Sequence, residues 1–258
     1  MNPEEYDKMY NQENTYWWFQ GRKKIIFRMI KHYNLLNHGK ARVLDIGCGT
    51  GLILEALAEQ GFAMGLDFSF KALQFSRQRN LKNLIRGNVK NIPVKDSSVD
   101  LVVALDLLEH IEDDQGLLDE IQRVLKPGGY LLSTVPAHQS LWSEHDEALH
   151  HFRRYSKPKF SDMVKKHNFS LVKYSYVISF TYFPIYIFRW GQRIYRKIVP
   201  TKQSPKTHII ILPEIINSLL IRILEFEGRL LQRMNLPFGV SLLCIAEKRK
   251  MRNTPNKF

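Results

Sequence analysis

Between residues 41 and 136, short apolar runs alternate with stretches in which apolar side chains return every three or four positions. The first pattern fits a buried strand and the second an amphipathic helix. "ARVLDIG" predicts a first strand, and "GLILEALAEQG" a helix closed by Gly61. "FAMGLDFS" predicts a second strand, followed by a helix in "SFKALQFSRQRN" with Ser69 as its cap. "NLIRGNV" predicts a third strand, and "VDLVVALDLLEH" a fourth, entered through the polar turn "VKDSSVD". "DQGLLDEIQRVLKPGG" predicts a helix stopped by Pro127 and the glycine pair, and "YLLSTVP" a fifth strand. Strands separated by helices of about ten residues call for a parallel sheet covered on both faces.

The flanks follow other patterns. Ile25, Ile26, Met29 and Ile30 fall at helical spacing in "GRKKIIFRMIKHYNLL", so residues 1–40 are expected to form a helical region. "NFSLVKYSYV" and "VSLLCIAEKRK" predict two more strands, paired antiparallel at one sheet edge, with apolar helical stretches around 182–198 and 208–234 between them. The expected fold is therefore α/β: a doubly wound, seven-stranded, mostly parallel Rossmann-like sheet with a helical insertion before the last strand. Its expected parts are the helical region 1–40, a core over 41–178, a basic and aromatic insertion over 179–238, and a last strand with a basic tail over 239–258.

Composition changes this picture in one respect. At 258 residues, 44% hydrophobic and 24% charged, the chain is an ordinary globular protein, but its net charge of +13 calls for an anionic partner or surface. The polar, acidic start carries no secretory signal pattern, and two cysteines, Cys48 and Cys244, are expected as reduced thiols of a cytoplasmic protein. No apolar run is long enough to span a membrane, "VISFTYFPIYIFRW" being short and broken by Pro184.

The chemistry concentrates in "VLDIGCGTG", where the first strand ends on a carboxylate and a glycine turn follows. Ligands of open α/β sheets bind at such strand-to-helix turns, where glycines allow close approach. Gly47, Gly49 and Gly51 stand at every second position, and Leu52 occupies the place of the third glycine of a dinucleotide fingerprint. Asp45 would also repel a pyrophosphate. A second acid, Asp67, ends the second strand, where ribose hydroxyls need an acceptor. Two carboxylates beside a bare turn suit a cationic nucleoside such as S-adenosylmethionine. The bland alternative is a tight turn with no ligand.

Together with "GLDFS", "GNVKNIPVKDSSVDLVVALDLLEHIED" and "EIQRVLKPGGYLLSTVP", this segment resembles the class I S-adenosylmethionine-dependent methyltransferases. The resemblance implies that Asp45, Gly47, Gly49 and Gly51 cradle the methionine part and that Asp67, with Phe68, holds the ribose. Asn88 and Val89 fall at the adenine, with an amide where the family usually has an acid. Leu105 and Asp106 line the cofactor pocket, and Glu109 and His110 form an "EH" signature. "YWWFQGRKKII", "PAHQSLWSEHDEALHHFRRYS" and "LPFGVSLLCIAEK" resemble a subgroup of these enzymes, with His151, Arg153, Arg154 and Tyr155 in its H-x-R-R-Y pattern; no acceptor is implied.

Methyl transfer needs the acceptor held in line with the leaving sulfur, and a base only where the acceptor must lose a proton. His138, His145 and His151 are the candidate bases, each also open to a surface or packing role. His110 is expected to help cap the helix opening at "EDDQ". Arg153 and Arg154, with Tyr155, are candidate acceptor contacts, against surface ion pairing as the alternative. Trp17 is expected to pack, while Trp18 and Arg22 are candidate cofactor contacts. No metal site is expected, because the histidines over 138–151 lack a ligand spacing with carboxylates.

From Met163 to Pro213 there is no acid, while Lys165, Lys166, Lys173, Arg189, Arg193, Arg196, Lys197, Lys202 and Lys206 interleave with Tyr182, Phe183, Tyr186, Phe188, Trp190 and Tyr195. This suits helices lying on an anionic membrane surface, or equally a lid with a solvated basic rim. The expected function is methyl transfer to a small-molecule or lipid-linked acceptor, at oxygen, by a cytoplasmic enzyme with a peripheral membrane contact. The rivals are a non-catalytic, methyltransferase-like binding or scaffold protein and a nucleic-acid methyltransferase. Nucleic acid is disfavoured because the basic residues lie among aliphatic stretches rather than on a base-reading module.

Overall fold

The computed structural model describes residues 3–198 and 212–250, with side chains described over 4–191 and 212–250. Seven strands form one sheet: β1 (Arg42–Ile46), β2 (Phe62–Asp67), β3 (Leu84–Arg86), β4 (Val99–Leu105), β5 (Leu125–Pro136), β6 (Phe169–Val177) and β7 (Ser241–Lys248). Their order is β3-β2-β1-β4-β5-β7-β6. The first five run parallel, and β7 enters antiparallel between β5 and β6. Successive strand residues point to opposite faces, so the apolar runs bury both sides of the sheet. Val43, Leu101, Leu132 and Leu243 pack on one face; Leu44, Val102, Leu131 and Leu242 pack on the other.

Helices α1 (Pro3–Gln12) and α2 (Trp17–His32) precede the sheet, and α3 (Leu52–Ala58), α4 (Phe70–Gln78) and α5 (Asp114–Val124) are its crossovers. Ser69 caps α4, its side chain accepting from Ala72 N. α5 ends three residues before Pro127 rather than at it. Lys126 precedes the proline and is driven extended, so Leu125 already pairs with Val99 as the start of β5. Two short helices follow β5: α6 (Glu144–Ala148), opened by a Ser143–Asp146 capping box, and α7 (Lys157–Lys166), with a proline in its first turn.

The insertion supplies α8 (Tyr182–Ile198) and α9 (Glu214–Leu231). α9 lies against α2, whose Gly21 makes the approach possible: a Cβ there would stand 2.2 Å from Leu224 Cδ1. Glu227 of α9 accepts from Ile178 N and Ser179 N and fixes the end of β6. α2 and α9 thus cover one face of the sheet, while α1, the start of α2 and α8 border the carboxyl ends of its strands. The side chains of Arg193, Tyr195, Arg196 and Lys197, and Lys202 and Lys206 as a whole, lie outside the described residues. Among the described residues, no helix is long and apolar enough to cross a membrane.

Candidate active site

The order of strands reverses between β1 and β4, which opens a crevice where ligands of such sheets bind. Roofed by α1, α2, α8 and α9, the crevice becomes a cavity of about 1780 Å³. That exceeds the roughly 300–1,000 Å³ of a single small-molecule site and leaves room for two ligands side by side.

One half is built on the glycine turn. Gly47 and Gly49 have φ of +68° and +55°, and both line the cavity. Side chains there would collide with Leu107 or crowd Met9 of α1. Asp45 is fully enclosed; burial first, then the charge of Asp67, pushes its carboxyl up to about 8. Asp67 accepts from Gly49 N at 2.9 Å and from Ser69 N at 2.8 Å, which locks the turn to the tip of β2. Burial raises its pKa too. A positively charged ligand relieves both carboxylates, whereas a pyrophosphate would add a third negative group to them. Phe68, Asn88, Val89 and Leu105 line the same half. Asn88 Oδ1 accepts from Lys90 N at 2.9 Å, an Asx turn at the cavity edge.

Gly51 is placed differently from its neighbours. With φ +89° it starts α3, its missing side chain faces Ser76 and Leu81, and it does not line the cavity. Its part is the turn rather than a ligand contact. The half is closed from above by a group that sequence patterns do not reveal. Glu13, just past α1, accepts from Thr50 Oγ1 at 2.6 Å and pairs with Arg79 of the α4 C-terminus at 2.7 Å. Arg79 also reaches Glu55 at 2.7 Å and the Thr50 carbonyl at 3.0 Å. Both Glu13 and Arg79 are buried, so α1 is pinned across the glycine turn.

The other half lies beyond the tip of β4. Asp106, with φ +50°, takes an ion pair from Arg22 at 2.5 Å and a hydrogen bond from Thr134 Oγ1 at 2.9 Å. Trp18 and Arg22 line the cavity, the guanidinium lying over the indole, and Trp17 packs in the core beneath. Glu109, His110, His145, His151 and Arg154 face this half. Asp146, wholly buried, accepts from Arg154 Nε at 2.7 Å and lies 3.0 Å from His151 Nδ1. His145 is exposed where it borders the cavity, and desolvation by the groups packed around its imidazole pushes it down to about 4.

Three further expectations are corrected by placement. His138 does not line the cavity; its ring stacks on Tyr176 with centroids 4.9 Å apart. Arg153 and Tyr155 face away from it as well, both bound to Asp114, at 2.9 Å and 2.8 Å. Their pattern serves to tie the loop after β5 to the start of α5. His110 is not a cap, because Asp113 caps α5 by accepting from Gly116 N; His110 turns into the cavity instead.

Residues 44–133 match a family model described as a methyltransferase domain. This segment is a methyltransferase domain by that match, and the fold around it is that of the class I S-adenosylmethionine-dependent methyltransferases. It is similar to ubiquinone biosynthesis O-methyltransferases of Bordetella avium, 31% identical over 35% of this chain and 40% of that protein, and of Idiomarina loihiensis, 28% identical over 61% and 75%. The chain spans less than half the length of several curated relatives it matches. A solved S-adenosylmethionine-dependent methyltransferase from Thermotoga maritima shares the fold with a TM-score of 0.59, at 17% identity over 95% of this chain and 96% of that one. A methyltransferase domain of this fold implies S-adenosylmethionine as the methyl donor.

Proposed function

We propose that this methyltransferase transfers a methyl group to a hydroxyl of a small, amphiphilic acceptor bound in the half of the cavity between Asp106 and α8. The observation that carries this is the continuity of the two halves: the carboxylate-lined turn that suits a cationic donor opens directly onto a second, histidine-bearing chamber. When bound, S-adenosylmethionine supplies an electrophilic methyl group on a sulfonium centre whose sulfur leaves as a neutral thioether. Asp45 and Asp67 hold the positive head and the ribose, and the backbone at Gly47 and Gly49 lies close to the ligand. Arg22, locked to Asp106 and Thr134, fixes the boundary between the chambers. Of the candidate bases, His145 and His151 border this chamber, and we assign His145 to take the proton of an acceptor hydroxyl, as a weak base because its imidazole is held low. The similar proteins from Bordetella avium and Idiomarina loihiensis are O-methyltransferases, which supports oxygen as the acceptor atom.

The acceptor chamber is bordered by Phe180, Ile185 and Phe188, and the last of these is also exposed at the surface. An acceptor with an apolar portion, lipid-linked ones included, fits such an entrance. Phe183, Ile187 and Trp190 are exposed on α8, which supports a peripheral contact with an anionic membrane face.

Purified protein incubated with methyl-labelled S-adenosylmethionine and separated extract fractions tests this proposal. Label is expected in lipid or small-molecule fractions, on oxygen. Cofactor binding by calorimetry without label in any fraction would favour a scaffold role. Label confined to RNA or DNA would move the acceptor to nucleic acid.

A further inference from the structure

The far wall of the acceptor chamber brings together three residues that sequence spacing does not associate. Glu109 and His110 end the short turn after β4, and His151 follows α6. One ligating atom from each lies within 4.8 Å of the others, and the two imidazoles meet edge to face with centroids 4.6 Å apart. All three residues line the cavity.

Glu109 is the decisive member. It is 1% exposed, and apart from its own backbone amide neither carboxylate oxygen has a hydrogen-bond partner. A buried carboxyl left in this state costs free energy unless another partner meets it. The nearby cations are already engaged: Arg22 is paired with Asp106, and Arg154 with Asp146. Both histidines are held from behind. His151 Nδ1 meets Asp146, itself fixed by Arg154 and Ser143 N, which leaves Nε2 for the cluster. His110 is hydrogen-bonded to the Leu149 backbone. Histidines oriented by a carboxylate or a backbone group through one nitrogen are the usual supports of a metal bound through the other.

We propose that Glu109, His110 and His151 form a divalent-metal site in the acceptor chamber, of the two-histidine, one-carboxylate kind that zinc takes with a further position left open. Tetrahedral bonds of roughly 2.0–2.2 Å put neighbouring ligand atoms roughly 3.4 Å apart, so ligand atoms that lie within 4.8 Å of one another reach that spacing by small side-chain movements. The open position faces the cavity. If the methyl-transfer proposal above holds, an acceptor hydroxyl held there is acidified. It then gives its proton to His145 or to water as the oxygen bonds the methyl carbon and the carbon–sulfur pair returns to sulfur. A weak base such as His145 suffices for a hydroxyl acidified in this way.

The binding test does not depend on that consequence. Full-length protein, stripped with chelator and dialysed, is titrated with zinc chloride, and bound metal is counted by plasma mass spectrometry. One zinc per chain is expected, with a rise in melting temperature. Glu109→Gln and His151→Ala should each lower the affinity at least hundredfold, while His167→Ala, outside the cavity beside Asp119, leaves it unchanged. Glu109→Gln replaces an unpartnered buried carboxyl by an amide of the same shape, so its metal-free form should melt close to wild type, which separates ligand loss from misfolding. Absence of stoichiometric zinc in a protein that still binds S-adenosylmethionine, or equal zinc affinity in wild type and Glu109→Gln, would overturn the site and leave the methyltransferase assignment standing.

Discussion

Asp45 shows how a single residue couples fold, pH and ligand. Its carboxyl stands at about 8 instead of the ordinary 3.8 because it is enclosed and faces a second acid. A carboxyl raised on folding contributes stability that is present at low pH and is lost as pH rises, here through the window from about 4 to 8. A cationic ligand reverses the balance by favouring the charged form. Binding of S-adenosylmethionine near pH 7 should therefore release a proton, visible as a buffer-dependent heat in calorimetry. The melting-temperature gain on binding should be larger at pH 8.5 than at pH 6. Asp45→Asn should stabilise the free protein at pH 8 and weaken cofactor binding by roughly ten- to a hundredfold, the range for a lost charged hydrogen bond of about 1.5–3 kcal/mol. Equal proton release in wild type and Asp45→Asn would assign the titration elsewhere. His145 makes a second case. If it accepts the acceptor's proton, His145→Gln should lower kcat by about a hundredfold or more with little change in cofactor affinity. A matching loss of cofactor affinity would mean it shapes the cavity instead.

At the scale of elements, the crossovers and the first glycine turn were legible because they depend on local signals: apolar period, a capping serine, glycines where φ is positive. The limits of β5 and α5 were not, since Leu125 pairs with Val99 from a distant strand. The same distinction separates the two halves of the cavity. Asp45, Gly47, Gly49 and Asp67 sit at the tips of consecutive strands, so their order along the chain forecasts their meeting. Glu109 and His151 are brought together by a loop that folds back, through a Phe152 N to Glu109 O hydrogen bond, and no spacing rule anticipates that. The H-x-R-R-Y stretch carried two jobs, Arg154 at the cavity and Arg153 with Tyr155 at Asp114, which chain position alone does not divide. The pinning of α1 is another long-range event. Arg79→Met would leave Glu13 buried without its cation, at a cost of about 3–5 kcal/mol. Denaturant unfolding should show that loss, and S-adenosylmethionine should bind more weakly as α1 lifts from the glycine turn. If Glu13→Gln combined with Arg79→Met restores stability but not cofactor affinity, the staple serves the ligand as well as the fold.

For the molecule as a whole, the question is where a charge of +13 and an exposed apolar helix meet. The described part of α8 answers half of it: Phe183, Ile187, Phe188 and Trp190 are each more than half exposed, within a helix that also borders the acceptor chamber. A surface helix of this kind gains by sinking its apolar side into a lipid interface, and basic residues nearby add about 1 kcal/mol each on an anionic leaflet. The apolar and electrostatic parts respond differently to salt, which makes them separable. Flotation should recover the protein with phosphatidylserine-containing vesicles and much less with neutral ones, and the difference should shrink as salt rises. Ile187→Glu should cut recovery at any salt, by tenfold or more, since burying one such side chain is worth about 1.5–3 kcal/mol. Recovery that is negligible on both vesicle types would make α8 a lid over the chamber. Tight, steeply salt-dependent binding to RNA with none to vesicles would instead assign the basic surface to nucleic acid. The membrane outcome has a further consequence for the reaction. An acceptor with an apolar tail would pass from bilayer to chamber along Phe188 without crossing water, so adding vesicles should lower its apparent KM and leave that of a short, soluble analogue unchanged.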